Sequence, residues 1–343
     1  MKNDKHIPCL DGLRAISILL VMIFHSLSHG NQGFPRFWFP FGGAAGVSLF
    51  FVISGYLITT LLLAEQERYQ KISLKNFYLR RSLRIFPPFY LFLLAVVSLS
   101  RIGFTSAPPQ AVFASGAYWM NFYSGNAGSL GHTWSLSIEE QFYLVWPFVV
   151  ARCSRRLAIG FAVLVAAGWP LLRLLRHGYL FSPIPEEALR SSGLDTILWG
   201  SVLALLVFKE VPGWLSRPLK SIWPLIASLS CLLFIYSVKD RWPLSVVFLL
   251  PLLRNVSLTV LLWWSINNPQ SLWGRCLELP PVAFIGRLSY SLYLWHGMFI
   301  VHSDRWLCTF PMSWVASFVA AYASYRLVEL PFNKLRRHFR PAT

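Results

Sequence analysis

The chain has 343 residues, of which 55% are hydrophobic and 13% charged, with a formal net charge of +17. Soluble domains carry charge on roughly a quarter of their residues, so this composition excludes a water-facing surface over most of the chain. Lys and Arg cluster between the apolar runs, as on a cytoplasmic membrane face, and that placement argues against nucleic acid as a partner.

A hydrocarbon core about 30 Å thick takes about 20 helical residues to cross. On that basis the spans are predicted at 13–30, 44–64, 85–102, 138–151, 157–175, 194–208, 221–238, 244–266, 282–302 and 311–330. The first run is read as a retained helix and not a signal peptide, because it carries His25 near its end and no A-x-A site follows. The stretch 110–123 holds Ser115, Gly116 and Asn121 and is short for a span. With the N-terminus cytoplasmic and 110–123 not crossing, 19 Lys and Arg fall inside and 8 outside or in the outer ends of spans (Arg101 and Arg173), while Arg14, Arg254, Arg287 and Arg326 lie within spans. If 110–123 crossed, the C-terminal basic cluster would move outside. The positive-inside rule therefore predicts an all-α polytopic bundle of about ten transmembrane helices in the inner (plasma) membrane. Both termini are cytoplasmic in this reading, and 110–123 is a re-entrant or surface helix on the outer side. A single membrane-embedded unit over 1–343 is expected, without a fused soluble domain, internal repeat or low-complexity linker. The five cysteines are scattered, with no CxxC pair, so neither a disulfide framework nor a metal site is expected.

Polar residues at membrane depth are costly and invite a functional reading. The first helix reads Asp11-Gly-Leu-Arg14, then ten residues, then His25. Eleven steps at about 100° return to nearly the same face after a rise of about 16 Å. One stripe thus holds a cation near the inner surface and an imidazole toward the outer half. An unprotonated His is a general base near neutral pH; a snorkelling Arg and a His bonded to a neighbouring helix explain the same pattern. Next comes Arg80-Arg81-Ser-Leu-Arg84. Arg81 and Arg84, three apart, face the same way on a helix, and guanidinium forks suit phosphate. A nucleotide-phosphate donor such as coenzyme A fits there, as does a topogenic cluster on lipid headgroups. The segment His132-Thr-Trp134-Ser-Leu-Ser-Ile-Glu139-Glu140 places two adjacent carboxylates at the start of an apolar run. They point about 100° apart, so they do not face one site equally, and Glu140 is the one favoured for chemistry. A dipole-compensating helix start is the structural alternative. Ser289, Tyr293 and His296 form one polar stripe, fit either to line a cavity or to pack. Glu329, at the inner end of the last span, is expected to pair with Arg14 or Arg326. No Gly-rich phosphate loop, G-x-S-x-G elbow or H-E-x-x-H occurs.

The order Asp11-Gly-Leu-Arg14-x10-His25, Gly46-Val-Ser-Leu-Phe-Phe-Val-Ile-Ser54-Gly-Tyr56-Leu-Ile58, Arg81-x-x-Arg84, Thr133-Trp134-Ser-Leu-Ser-Ile-Glu-Glu-Gln-Phe-Tyr143 and Glu329-Leu-Pro331 resembles the acyltransferase family 3 membrane proteins, over nearly the whole chain. These include O-antigen and exopolysaccharide O-acetyltransferases. The resemblance implies transfer of an acyl group, usually acetyl from acetyl-CoA, to a hydroxyl of a carbohydrate or lipid-linked acceptor. It implies activity roles for Arg14 and His25, acyl-donor use by Arg81 and Arg84 beside Arg80, and a role for Glu329. Asp11, Ser54, Tyr56, His132, Trp134, Glu139, Tyr293 and His296 are the further pore or site candidates. The expected partners are the bilayer, an acyl-CoA as co-substrate and the acceptor, with no permanently bound cofactor and no nucleic acid. The sequence does not specify an oligomeric state. A polytopic transporter or exporter of a polysaccharide precursor or metabolite is the rival reading, although repeats and broken helix pairs are not clear in the sequence.

Overall fold

The computed structural model describes residues 7–28, 31, 33–35, 43–178, 193–209, 213, 221–238, 249–301 and 305–339. Among these residues all regular structure is helical. The long elements are α1 (Pro8–Ser28), α2 (Gly43–Tyr69), α3 (Leu74–Arg101), α5 (Trp134–Arg152) and α6 (Arg155–Gly178). After them come α7 (Leu194–Val207), α8 (Trp223–Val238), α9 (Leu249–Asn267), α11 (Pro280–Ile300) and α12 (Met312–Ser324). Short helices α4 (Pro109–Gly116), α10 (Leu272–Glu278) and α13 (Leu330–Leu335) fill the connections.

Each predicted span overlies one long helix, the last continuing from α12 through a π-helical turn at Tyr325–Glu329; residues 29, 30, 244–248 and 302 of the predicted spans lie outside the described residues. By length and apolarity, three helices among the described residues meet the requirement for crossing a bilayer: Pro8–Ser28, Ala45–Tyr69 and Leu74–Arg101. Leu194–Val207 and Trp223–Ser237 are apolar but shorter. Leu94, Leu144, Leu164 and Phe234 stand exposed on the outward faces of α3, α5, α6 and α8. Water would penalise these faces, whereas lipid covers them at no cost, and the chain is a membrane protein. The segment predicted at 110–123 forms α4 and a 3-10 turn, Met120–Phe122. The 8 residues of α4 are about 12 Å long, far short of the hydrocarbon thickness.

Two helix pairings set the site, and both depend on close backbone contact. A side chain at Gly286 on α11 would place its Cβ 1.8 Å from the Asp11 carbonyl on α1. Between α2 and α7 the contact is reciprocal: Gly55 faces the Ile197 carbonyl and Gly200 the Val52 carbonyl. Lipid tails supply no hydrophobic drive between helices, so close packing at small residues does the work. The α1–α11 pair runs parallel, Asp11 beside Gly286 at one end and His25 beside His296 at the other. At the Asp11 end, Arg80 of α3 pairs with Glu65 of α2 and donates to the Phe339 carbonyl. At the His25 end, Asn31 donates to the carbonyls of Ile300 and Cys308.

Local sequence explains how α3 begins and where its hydrogen-bond ladder is interrupted. Ser73 caps it, its hydroxyl accepting from the Asn76 amide. Pro87 and Pro88 inside it withhold two amide hydrogens, which loosens the ladder one turn after the arginines. There the Tyr290 hydroxyl of α11 donates to the Ile85 carbonyl at 2.9 Å and ties the two helices together.

Candidate active site

A half-open cavity of about 90 Å³ lies between α1, α2, α3, α5 and α11. Each helix contributes one face at helical spacing: Phe50, Ser54 and Leu57 from α2, Arg81 and Arg84 from α3, Ser135, Glu139 and Tyr143 from α5, and Ser289 and Tyr293 from α11. Arg14 of α1 and Glu140 complete the polar lining. Three guanidiniums and two carboxylates therefore share one space within an otherwise apolar bundle.

The two carboxylates differ in how they are held. Ser54 donates its hydroxyl to Glu139 Oε1 at 2.7 Å. Both Glu139 and Glu140 line the cavity, although adjacent helical positions diverge, because the space extends around that side of α5. Arg81 lays its guanidinium carbon 4.1 Å over the Tyr143 ring, and its buried Nε has no hydrogen-bond partner among the described residues. An unsatisfied guanidinium N–H in such a place is what an anionic ligand would complete. Arg14 sits 3.8 Å from Asp11, one turn back on α1.

Arg80 does not line the cavity. Its Nη2 lies 2.7 Å from Glu65 Oε2 and its Nη1 donates to the Phe339 carbonyl, so it clamps the α2–α3 turn to the end of the described chain. Glu329, read from the sequence as a partner of Arg14 or Arg326, accepts from Ser291 Oγ at 3.0 Å and has Arg84 and Arg14 among its charge neighbours. It closes the π-helical turn, whose wider backbone changes which residues face α11. Tyr56 is buried near Gly200 of α7, and Trp134 meets Phe51 edge to face; neither lines the cavity.

His25 lies near the C-terminal end of α1 and, like His296, does not line the cavity, whereas Phe50 and Tyr293 do. Tyr293 donates to the His132 carbonyl at 2.9 Å and shares a 2.5 Å contact with Ser135 Oγ. One turn further along α11 stands His296, fully buried, its Nε2 2.8 Å from His25 Nδ1. His132, on the 3-10 turn Gly128–Thr133, contacts the Leu294 carbonyl through Nε2 and sets its ring 5.0 Å from that of His296. The stripe Ser289–Tyr293–His296 thus runs from the basic cavity to the imidazoles. Among the described residues no group of three or more His, Cys, Asp or Glu is arranged to hold a metal.

The sequence reading did not include Ser135, Tyr143 or Tyr290 as site residues. Ser135 and Tyr143 lie one turn either side of Glu139, so the α5 face was available as a signal. A second polar cluster was also not anticipated: buried Asn255 donates to Asp195 and accepts from Thr196 and half-buried Arg254.

Comparison with known proteins places the chain. It is 29% identical to peptidoglycan O-acetyltransferase OatA of Listeria monocytogenes, over 97% of this chain and 56% of that protein. It is 30% identical to O-acetyltransferase OatA of Staphylococcus aureus, over 97% of this chain and 58% of that one. A putative O-acetyltransferase of Staphylococcus aureus strain COL, SACOL0978, is 32% identical over the same shares. The chain therefore spans just over half the length of the curated relatives it matches. No solved structure matches it. The family model described as an acyltransferase domain covers residues 7–325, and the chain belongs to that family.

Proposed function

We propose that this member of the acyltransferase family is a membrane O-acetyltransferase that moves acetyl from acetyl-CoA to a hydroxyl of peptidoglycan or a related carbohydrate. One observation carries the reading: Arg14, Arg81 and Arg84 share a cavity with Ser289 and Tyr293 of α11, and one turn beyond Tyr293 on the same helix His296 meets His25. Arg81 and Arg84 take the donor's phosphates at the cytosolic mouth, and the buried Nε of Arg81 is a donor awaiting such an acceptor. The extended arm of coenzyme A then runs along the stripe toward His25, across the rise of about 16 Å between Arg14 and His25. Passage requires the cavity to open past Phe50 and Tyr293.

The acceptor hydroxyl approaches His25 from the outer side. His25 removes its proton as the oxygen attacks the thioester carbonyl; the carbon–sulfur bond breaks, and the departing thiolate takes the proton back from His25. Direct attack uses the fewest steps; an acetyl-His25 intermediate uses the same residue as nucleophile. Glu139, held by Ser54, sits beside the arginines and limits the net positive charge that the donor must neutralise. The topology that serves this reaction has about ten crossings and both termini in the cytoplasm. The family match favours transfer over export.

The test uses purified protein in proteoliposomes with radiolabelled acetyl-CoA and a peptidoglycan oligosaccharide. Wild type is expected to add one acetyl mass increment per modified hydroxyl, and His25→Ala to lose transfer while remaining folded in the membrane. Undiminished transfer by folded His25→Ala rejects the base assignment.

A further inference from the structure

The proposed base leaves one question open: which ring nitrogen of His25 carries the proton. Only a nitrogen with a free lone pair removes a proton, and a neutral imidazole has one such nitrogen. In water the neutral ring favours its proton on Nε2, the outer nitrogen, and in that form Nε2 is a donor.

The geometry of His296 decides the matter. Its Nδ1 lies 2.7 Å from the Tyr293 carbonyl and 3.2 Å from the Leu292 carbonyl. Carbonyl oxygens only accept, so the His296 proton is on Nδ1. In the neutral ring Nε2 is then an acceptor, and it faces His25 Nδ1 at 2.8 Å. The two ring centroids are 5.0 Å apart and their planes differ by 4°. That spacing equals the nitrogen–nitrogen distance plus two imidazole radii. The rings therefore lie edge to edge in one plane, and the hydrogen bond between them is straight.

We propose that His296 is a positioning residue that sets the tautomer of His25: backbone carbonyls fix the proton of His296 on Nδ1, its Nε2 accepts the Nδ1–H of His25, and His25 Nε2 is left as the basic nitrogen. The proposal rests on the base role assigned to His25 above. Two carbonyls from one helical turn replace the carboxylate that usually orients a catalytic histidine. A neutral orienting group suits a buried site, because no second charge has to be kept in the low-dielectric interior. Packing holds His296 where this requires. It is fully buried, and the His132 ring lies against it, pinned by the Leu294 carbonyl and by Gly297, where any side chain would strike that ring.

Two measurements on the full chain test this. Nitrogen-15 NMR of histidine-labelled protein in lipid reads the tautomer directly: His25 is expected protonated on Nδ1 and His296 likewise. Kinetics with acetyl-CoA and a peptidoglycan oligosaccharide read the consequence. His296→Phe, which offers no acceptor, is expected to lower kcat about 100-fold or more with the KM for acetyl-CoA within about twofold. His296→Gln, whose side-chain oxygen reaches the position of Nε2, is expected to restore most of kcat. Wild-type His25 protonated on Nε2 overturns the proposal whether or not any variant folds. So does His296→Phe retaining wild-type kcat while His25→Ala is inactive, and that result leaves the base assignment standing. Full activity in His25→Ala removes the base assignment, and with it the reason for the relay.

Discussion

Arg81 combines two features that a purely structural arginine would not have. Its guanidinium stacks on Tyr143, and its buried Nε has no hydrogen-bond partner among the described residues, beside a cavity that also holds Arg14 and Arg84. Replacing it with Met keeps the length and apolar stem. The substitution loses the stacking contact, worth about 1 kcal/mol. It also removes a buried unsatisfied donor, whose cost is about 1–3 kcal/mol, and exchanges repulsion from Arg14 and Arg84 for lost attraction to Glu139 and Glu140, which line the same cavity. With the charge effects opposed, the balance for the donor-free protein is stability within about 2 kcal/mol of wild type. For the donor complex the change is a loss, since a hydrogen bond to a charged partner contributes about 1.5–3 kcal/mol. Affinity for coenzyme A should therefore fall about 10- to 150-fold. Thermal unfolding of purified Arg81→Met without donor, beside isothermal titration with coenzyme A, measures both sides. A marked loss of thermal stability with coenzyme A affinity within twofold of wild type would show that Arg81 is structural and refute the reasoning.

Arg80 should behave in the opposite way. Arg80→Ala breaks its partly buried pair with Glu65 and the tie to Phe339, and should cost about 3 kcal/mol in unfolding experiments while coenzyme A affinity stays within about twofold. A large affinity loss at unchanged stability would return Arg80 to the donor site. Gly286→Ala should drive α1 away from α11 at Asp11, cost about 1–3 kcal/mol and lower transfer, because it tilts the helix that carries His25. Gly160→Ala is the control: its Cβ would meet nothing within 4 Å, and it should leave melting temperature and transfer unchanged.

The helices were largely legible, because each predicted apolar run overlies a helix where residues are described, while three helices among those residues are long and apolar enough to cross a bilayer. The contents of the cavity were partly legible for the same reason that helices repeat. Spacing put Arg81 with Arg84 and Tyr293 with His296 on single faces. What spacing within one helix does not give is the neighbour across the bundle. His25 and His296 are 271 residues apart, and their meeting depends on how closely α1 approaches α11 at Gly286. Arg80 and Arg81 show the same limit at short range. One step of about 100° sends the first toward Glu65 and the second toward Tyr143, and only the packed structure tells which faces the cavity. Charge alone sets Glu329 near an arginine, and Arg84 and Arg14 are near it; its hydrogen bond from Ser291, across to α11, is what charge could not give.

The account turns on a donor that enters beside the arginines and an acceptor that reacts at the far end of α1. Sealing radiolabelled acetyl-CoA inside proteoliposomes and supplying the peptidoglycan oligosaccharide only outside tests that separation. Labelled acetyl on the external oligosaccharide, absent with His25→Ala, is the predicted result. Transfer that appears only when donor and acceptor share one side of the membrane would contradict it.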